Sequence, residues 1–83
     1  MKFRAEIDIM PLEALLDPQG KAVNAGLRNL GLNNISSVRV GKHITLQLDA
    51  ASEAEARAEV EDACKKLLAN LIMESYRFDL VAL

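Results

Sequence analysis

The sequence has little of several residue types that carry covalent structure or metal chemistry. It contains one cysteine, one histidine and no tryptophan. The single cysteine, Cys64, excludes an internal disulfide and fits a reducing compartment. The single histidine, His43, excludes a histidine pair, so we expect no metal site and interpret His43 as a turn residue near solvent. No apolar run approaches the roughly 20 residues of a membrane-spanning helix.

Charge of one sign is not concentrated anywhere along the chain. The formal net charge is −2, and Lys2 and Arg4 alternate with Glu6 and Asp8. Nucleic-acid binding needs a concentrated positive face, so nucleic acid is not an expected partner. The first residues lead directly into a strand pattern without an export signal. We therefore expect a cytoplasmic protein that contacts no membrane.

What is present is a hydrophobic fraction of 51% in 83 residues. This length predicts a single domain over residues 1–83, and one core of this size is only marginally stable. Self-association is a natural way to bury more apolar surface. We therefore expect the chain to form at least a dimer.

The first half of the chain shows a strand and then a helix. Residues 2–9 alternate polar and apolar side chains, which predicts a half-buried strand. A helix is expected from residue 18 to about residue 30, with Asp17 as its N-cap, Pro18 in the first position and Gly31 as a left-handed C-cap. The apolar stripe of this helix consists of Ala22, Val23, Gly26, Leu27 and Leu30.

Residues 35–48 place apolar side chains at even positions, interrupted around Gly41. A two-residue loop there would turn Ile44 onto the face opposite Val40, whereas a three-residue loop that ends at His43 keeps one apolar face. We favour the three-residue hairpin. A bent continuous strand satisfies the same pattern.

The second half repeats the order of helix and strand. Ser52 and Glu55 have the spacing of a capping box. They open a helix whose apolar stripe consists of Ala56, Val60, Ala63, Cys64, Leu67 and Leu68. A closing strand points Tyr76, Phe78 and Leu80 to one face. The order β-α-β-β-α-β predicts a ferredoxin-like α+β sandwich with two helices on one face of an antiparallel sheet.

Gly20 is the residue that these helix and strand patterns leave unexplained. It falls in the first helical turn, where glycine costs roughly 1 kcal/mol relative to alanine. We therefore expect something to approach this backbone closely.

Four motifs occur in order along the chain. They are residues 16–20 (LDPQG), 38–42 (VRVGK), 64–70 (CKKLLAN) and 73–76 (MESY). Together they resemble the PurS subunit of phosphoribosylformylglycinamidine (FGAM) synthase, an amidotransferase of purine biosynthesis, over essentially the whole sequence. The resemblance implies a PurS-like fold.

The resemblance also implies a function. PurS is a non-catalytic small subunit that bridges the glutaminase subunit (PurQ) and the ATP-dependent synthetase subunit (PurL) and assists ammonia transfer. It assembles as a dimer, sometimes as a dimer of dimers. The complex uses ATP and Mg, and no cofactor is expected on this chain.

No residue of this chain is expected to be catalytic. Cys64 lies in an apolar stripe and is interpreted as a core residue, since the family keeps its catalytic cysteine in the glutaminase subunit. The residues expected at partner interfaces are Asp17, Pro18, Gln19, Gly20, Arg39, Gly41, Lys42, Asn70 and Tyr76.

Two alternatives from other functional classes remain open. A regulatory domain of similar topology would bind a small effector between subunits, and specific binding of an amino acid or nucleotide would indicate it. An acylphosphatase-like enzyme would need an arginine in an N-terminal phosphate loop. Residues 10–14 (MPLEA) contain none.

Overall fold

The structure is a computed structural model that describes residues 1–12 and 17–83. Its three strands are β1 (Lys2–Pro11), β2 (Lys42–Asp49) and β3 (Glu74–Ala82). Its helices are α1 (Pro18–Asn29) and α2 (Glu53–Ala63), and α2 continues into a π-helical segment, Cys64–Leu68. The strands form one antiparallel sheet in the order β2-β1-β3.

The sheet has one apolar and one polar face because each strand alternates as predicted. On the inner face, Ile7 of β1 lies opposite Ile44 of β2 and Phe78 of β3. The core side chains of β1 are fully or almost fully buried: Phe3, Ala5, Ile7 and Ile9. The outer face carries mainly the polar side chains of the same strands, with Val81 of β3 exposed among them.

Helix α2 covers the inner face. The Ser52 hydroxyl accepts a hydrogen bond from the Glu55 amide at 3.2 Å, as expected of an N-cap. Ala56, Val60 and Cys64 are buried. Val60 and Cys64 belong to the same core cluster as Ala5, Ile7 and Ile9 of β1. Cys64 is therefore the core residue that the sequence predicted.

The π-helical segment changes which residues point to the core. A π-helix has more residues per turn than an α-helix, so side chains after Cys64 rotate away from the α-helical stripe. Leu67, predicted to be in the stripe, is 83% exposed, and Ala69 is only 7% exposed. The prediction was wrong at Leu67 because it assumed α-helical periodicity to the end of the helix.

Helix α1 begins and ends where predicted but packs differently. Asp17 is its N-cap, Pro18 occupies the first turn, and Gly31 has a φ of +86° just after the helix. Among its residues only Gly20 is buried, and its apolar residues are absent from the core cluster. Of the two helices expected to cover the sheet, α2 alone contributes buried residues to the shared core.

The α+β class and the antiparallel sheet are confirmed, but the described residues form three strands instead of four. Neither the hairpin around Gly41 nor a continuous bent strand forms, because residues 35–41 make no strand pairing. The Val40 amide instead donates to the Asp17 carboxylate, and Arg39 donates to the Pro11 carbonyl. His43, expected in the turn, lies within β2 and remains exposed.

The chain is elongated. Its radius of gyration is 16.4 Å and its extents are 52 × 26 × 14 Å, whereas a compact domain of this length has a radius of gyration of about 12 Å. In the part of the chain that the structure describes, no helix is long and apolar enough to cross a membrane.

Candidate partner interface

Asp17 joins two segments that are distant in the sequence. Its Oδ1 accepts a hydrogen bond from the Gly20 amide at 3.0 Å, and its Oδ2 accepts one from the Val40 amide at 2.9 Å. These two backbone donors lower the pKa of the Asp17 carboxyl below its ordinary value of 3.8, and the nearby charge of Arg39 adds to the effect. The carboxylate thus fixes the start of α1 against residues 38–40.

Gly20 is explained by this junction. A Cβ atom at Gly20 would collide with the carbonyl oxygen of Val38 and would lie 2.7 Å from the Oδ2 atom of Asp17. Close approach to the Gly20 backbone was correctly predicted, and the backbone of Val38 makes it. The backbone belongs to the same chain, and the missing side chain lets residues 38–40 reach Asp17.

Gly41 has a similar role on the other side of residues 38–40. A Cβ atom there would collide with the Met10 side chain and the Ile9 carbonyl oxygen. The guanidinium of Arg39 donates to the carbonyl of Pro11, at the end of β1. Residues 39–41 are therefore fastened to β1 by a side-chain hydrogen bond and by close packing of the backbone.

Asn70 organises the turn that leads into β3. Its carbonyl oxygen accepts from the amides of Met73 at 3.0 Å and Glu74 at 2.7 Å. Its own amide donates to the Glu74 carboxylate at 2.9 Å. Glu74 also lies 3.6 Å from the Lys42 ammonium, so this turn is connected to the start of β2.

These three segments meet around one groove of about 370 Å³. The groove is lined by Pro11, Asp17, Pro18, Gln19, Val40, Asn70, Met73 and Glu74. Its wall combines the helix start, the end of β1 and the turn before β3. Backbone groups and short polar side chains held in fixed positions suit recognition of a protein surface.

The groove gathers most of the predicted interface residues. Four of them line it directly: Asp17, Pro18, Gln19 and Asn70. Gly20, Arg39 and Lys42 contact residues that line it. Gly41 and Lys42 line a separate hollow beside Met10 and His43. Glu74 and Val40 were not among the predicted interface residues. A carboxylate four residues after Asn70 was the available signal for Glu74. Val40 contributes mainly its backbone and gives no side-chain signal.

Tyr76 lies apart from the groove. It lines an open hollow of about 600 Å³ between α2 and β3, together with Arg57, Glu61 and Phe78. Its hydroxyl donates to the Glu61 carboxylate at 3.0 Å, and the Arg57 guanidinium lies 5.7 Å from the centre of the Phe78 ring. Burial, and then the Glu61 carboxylate, raise the pKa of Tyr76 above its ordinary value of 10.0.

The reactive residue types occupy positions that do not activate them. Cys64 is fully buried, and burial raises the pKa of its thiol above the ordinary value of 9.0, which disfavours the nucleophilic thiolate. Among residues 1–12 and 17–83, no group of three or more histidine, cysteine or acidic residues has an arrangement that could hold a metal ion.

Comparison with known proteins gives a consistent family. The PurS family of phosphoribosylformylglycinamidine (FGAM) synthase matches residues 4–82. The FGAM synthase subunit PurS of Synechocystis sp. is 46% identical over 81 residues, which is 98% of this chain and 81% of the relative.

Solved structures of the family share the fold. PurS of Thermus thermophilus superimposes with a TM-score of 0.87 at 34% identity, covering 100% of this chain and 99% of that one. A chain of the PurLQS structure from Thermotoga maritima gives a TM-score of 0.89 at 28% identity, covering 98% of this chain and 99% of that one. By sequence and by fold, this chain belongs to the PurS family of FGAM synthase subunits.

Proposed function

We propose that this chain is the non-catalytic small subunit that bridges the glutaminase and ATP-dependent synthetase subunits of FGAM synthase. In de novo purine biosynthesis, the complex converts formylglycinamide ribonucleotide (FGAR), glutamine, ATP and water to FGAM, glutamate, ADP and phosphate. ATP and Mg serve the complex, and this chain binds no cofactor. The proposed location is the cytoplasm.

The observation that carries the proposal is the convergence of three separate segments on the groove. The start of α1, residues 38–42 and residues 70–74 meet there. The Asp17 carboxylate and the Asn70 carbonyl fix them by accepting hydrogen bonds from backbone amides. A preorganised surface loses little conformational entropy when a partner docks. The Thermotoga maritima chain of similar fold comes from a PurLQS structure, which supports the two partner subunits.

The chemistry of the complex gives a physical reason for such a subunit. Ammonia released by a glutaminase would be protonated and diffuse away if it entered bulk water. A small protein that bridges the two enzymes can align their active sites and help enclose the route between them. This role needs a shaped surface and no reactive side chain, which agrees with the buried Cys64.

We also propose that the chain self-associates as a dimer or a dimer of dimers. Several large apolar side chains are exposed on α1 and near the groove, including Leu30 at 76% and Ile72 at 84%. Residues Ile44, Leu46 and Leu48 on the inner face of β2 are only partly buried. A second copy that covers these side chains would supply the apolar burial that the elongated single chain lacks.

The bridging role is tested by the exposed Gln19, which lines the groove. Gln19→Ala should weaken co-purification with the glutaminase and synthetase subunits and lower glutamine-dependent FGAM synthesis. Ammonia-dependent synthesis should change less, because it bypasses ammonia transfer. The matched control is Gln47→Ala, which truncates an exposed glutamine of β2 on the outer face of the sheet. Equal behaviour of the two variants in assembly and synthesis would contradict the assignment of the groove.

Two further measurements test the remaining parts. The purified chain alone should release neither glutamate from glutamine nor phosphate from ATP. Activity that survives purification and disappears on a point substitution would overturn the non-catalytic role. Sedimentation equilibrium at micromolar concentration should give at least a dimer, and a cooperatively folded monomer would contradict self-association.

A further inference from the structure

The outer face of the sheet carries a charge cluster centred on the only histidine. His43 of β2 places its Nδ1 atom 2.7 Å from Asp8 Oδ1 and its Nε2 atom 2.7 Å from Glu6 Oε2. Both carboxylates belong to β1. One imidazole ring therefore contacts two successive outward-pointing side chains of the neighbouring strand.

This geometry specifies the charge of the ring. A neutral imidazole has one N–H donor, whereas the imidazolium has two. Carboxylates are acceptors only, so hydrogen bonds from both ring nitrogens require the protonated form. The ring, at 51% side-chain exposure, remains open to solvent and can exchange its proton freely.

The surrounding charges hold the two carboxylates in place. Glu6 also contacts Arg4 at 2.8 Å and accepts from the Thr45 hydroxyl at 2.8 Å. Asp8 lies 3.5 Å from Arg77 of β3. The outer face also carries Asp79 of β3, which lies opposite Glu6, and the pair Lys2 and Asp49 at the other end of β1 and β2. Lys42, next to His43, contacts Glu74.

We propose that His43 is a pH-sensitive clasp that fastens the first residues of β2 to β1. As the imidazolium it binds Asp8 and Glu6 together. When it loses its proton, one ring nitrogen becomes an acceptor, one carboxylate contact is lost, and the end of β2 loosens.

The direction of the pH dependence follows from the proton balance. The contacts to Asp8, and then to Glu6, raise the pKa of His43 above its ordinary value of 6.5. A group whose pKa is raised in the folded state stabilises that state fully below the unfolded value, and this contribution is lost as pH rises through the folded value. The clasp is therefore closed below the His43 midpoint while Asp8 and Glu6 are ionised, and it opens as pH rises through that midpoint.

The clasp lies close to the residues that form the groove. Three residues before His43, the Val40 amide is bound to Asp17, and the intervening Gly41 packs against β1. Loosening of the first residues of β2 is therefore expected to affect Val40, which lines the groove. The clasp itself is independent of the proposed partner role and can be tested on the isolated chain.

The first test is an NMR titration of the isolated protein. Because the chain has one histidine, its ring gives a single Hε1 resonance whose midpoint reports the pKa of His43 directly. We expect a midpoint above 6.5, with both ring nitrogens protonated at pH values well below that midpoint. Glu6→Gln and Asp8→Asn should each lower the midpoint, and the double variant should lower it further.

The matched control is Asp79→Asn, which removes a carboxylate from the same face that belongs to β3 and lies two strands from His43. It should move the midpoint much less than either Glu6→Gln or Asp8→Asn. A wild-type midpoint at or below 6.5, or equal shifts in all three variants, would overturn the proposal.

The second test separates the contribution of His43 to stability from the contributions of the other titratable groups. The free energy of unfolding of the wild type and of His43→Gln is measured by urea denaturation from pH 5.5 to pH 9. The difference should be constant at the acid end and should shrink as pH rises through the His43 midpoint. Protection of the β2 amides, relative to their intrinsic exchange rate at each pH, should fall in the wild type above it. A difference that does not change with pH would refute the clasp.

Discussion

The carboxylate of Asp17 accepts a hydrogen bond from the backbone amide of Val40 at 2.9 Å, across 23 positions of sequence. The same carboxylate caps α1 through the Gly20 amide. One side chain thus satisfies a donor of the helix start and a donor of a segment that pairs with no strand. This double use explains why residues 38–40 leave the sheet and why the groove has a defined wall.

Gly20 and Gly26 form a matched pair for testing this junction. Gly20→Ala should lower the free energy of unfolding by about 1–3 kcal/mol, because the new methyl group meets the Val38 carbonyl and residues 38–40 must move. Gly26→Ala adds the same atom on α1 where no atom of the described chain lies within 4 Å. It should raise the helix stability by up to about 1 kcal/mol. Urea denaturation of both variants measures the difference.

The same two glycine variants also test self-association. If α1 packs closely against a second copy, Gly26→Ala should raise the dimer dissociation constant in sedimentation equilibrium even though the helix itself becomes more stable. A variant that is more stable and associates as well as the wild type would exclude Gly26 from the interface. A Gly20→Ala variant that is as stable as the wild type would contradict the close approach of Val38.

Acid should weaken the Asp17 junction. Because the pKa of Asp17 is lowered in the folded chain, its stabilising contribution is present above the ordinary value of 3.8 and is lost as pH falls through the lower folded value. The free energy of unfolding of the wild type should exceed that of Asp17→Asn at pH 6, and the gap should narrow steadily below about pH 4. Denaturation curves between pH 2.5 and pH 6 measure this gap.

An exposed aspartate provides the control for acid lability. Asp62 of α2 contacts Lys66 at 2.9 Å on the helix surface, a pairing that contributes little in water. The free energy of unfolding of Asp62→Asn should lie close to that of the wild type at pH 6. If the free energies of unfolding of the wild type and Asp17→Asn differed by the same amount at pH 3 and pH 6, the role assigned to the ionised carboxylate would be contradicted.

Tyr76 should ionise above pH 10. It is the only tyrosine and the chain has no tryptophan, so absorbance near 295 nm follows its hydroxyl alone. Burial, with the negative charge of Glu61, disfavours the phenolate. Glu61→Gln should move the titration midpoint down toward 10, whereas Glu59→Gln, on the exposed side of α2, should leave it in place. Identical midpoints in the two variants would exclude contact between Tyr76 and Glu61.

The π-helical segment predicts an uneven effect of two apolar truncations on the same helical run. Leu67→Ala should change the free energy of unfolding by no more than about 0.5 kcal/mol, because the side chain is largely exposed. Val60→Ala should cost about 2 kcal/mol, because it removes two buried methyl groups from the core. A large cost at Leu67 in the isolated chain would show that the helix continues in α-helical register.

Local patterns in the sequence predicted the elements where local chemistry decides the structure. The alternation in β1, the caps Asp17 and Ser52, and the left-handed Gly31 each act within a few residues, and all are confirmed. The prediction of a strand around Val38 and Val40 was wrong because the conformation of these residues depends on the carboxylate of Asp17, which is distant in the sequence. The apolar alternation was correct, but Asp17 and Pro11 supplied the hydrogen-bond partners instead of a strand.

The sequence predicted candidate interface residues from their side chains, but it could not predict the geometry of the groove that four of them line. Residues 16–20, 38–42 and 64–70 were identified as separate motifs, and no spacing in the sequence indicates that the first two and Asn70 meet at one groove. The π-helical turn sets the position of Asn70. The residue types of this turn, such as Leu67, do not indicate whether the turn is π-helical or α-helical. Tyr76 was correctly placed in β3, yet it belongs to a different hollow.

The nearly complete exposure of α1 has a consequence for how much of this protein a cell retains. A helix that contributes only Gly20 to the interior of its own chain unfolds locally at low cost while it is unassembled. Proteases cleave such locally unfolded segments first. Under the proposed function, copies that have not assembled would therefore be degraded preferentially.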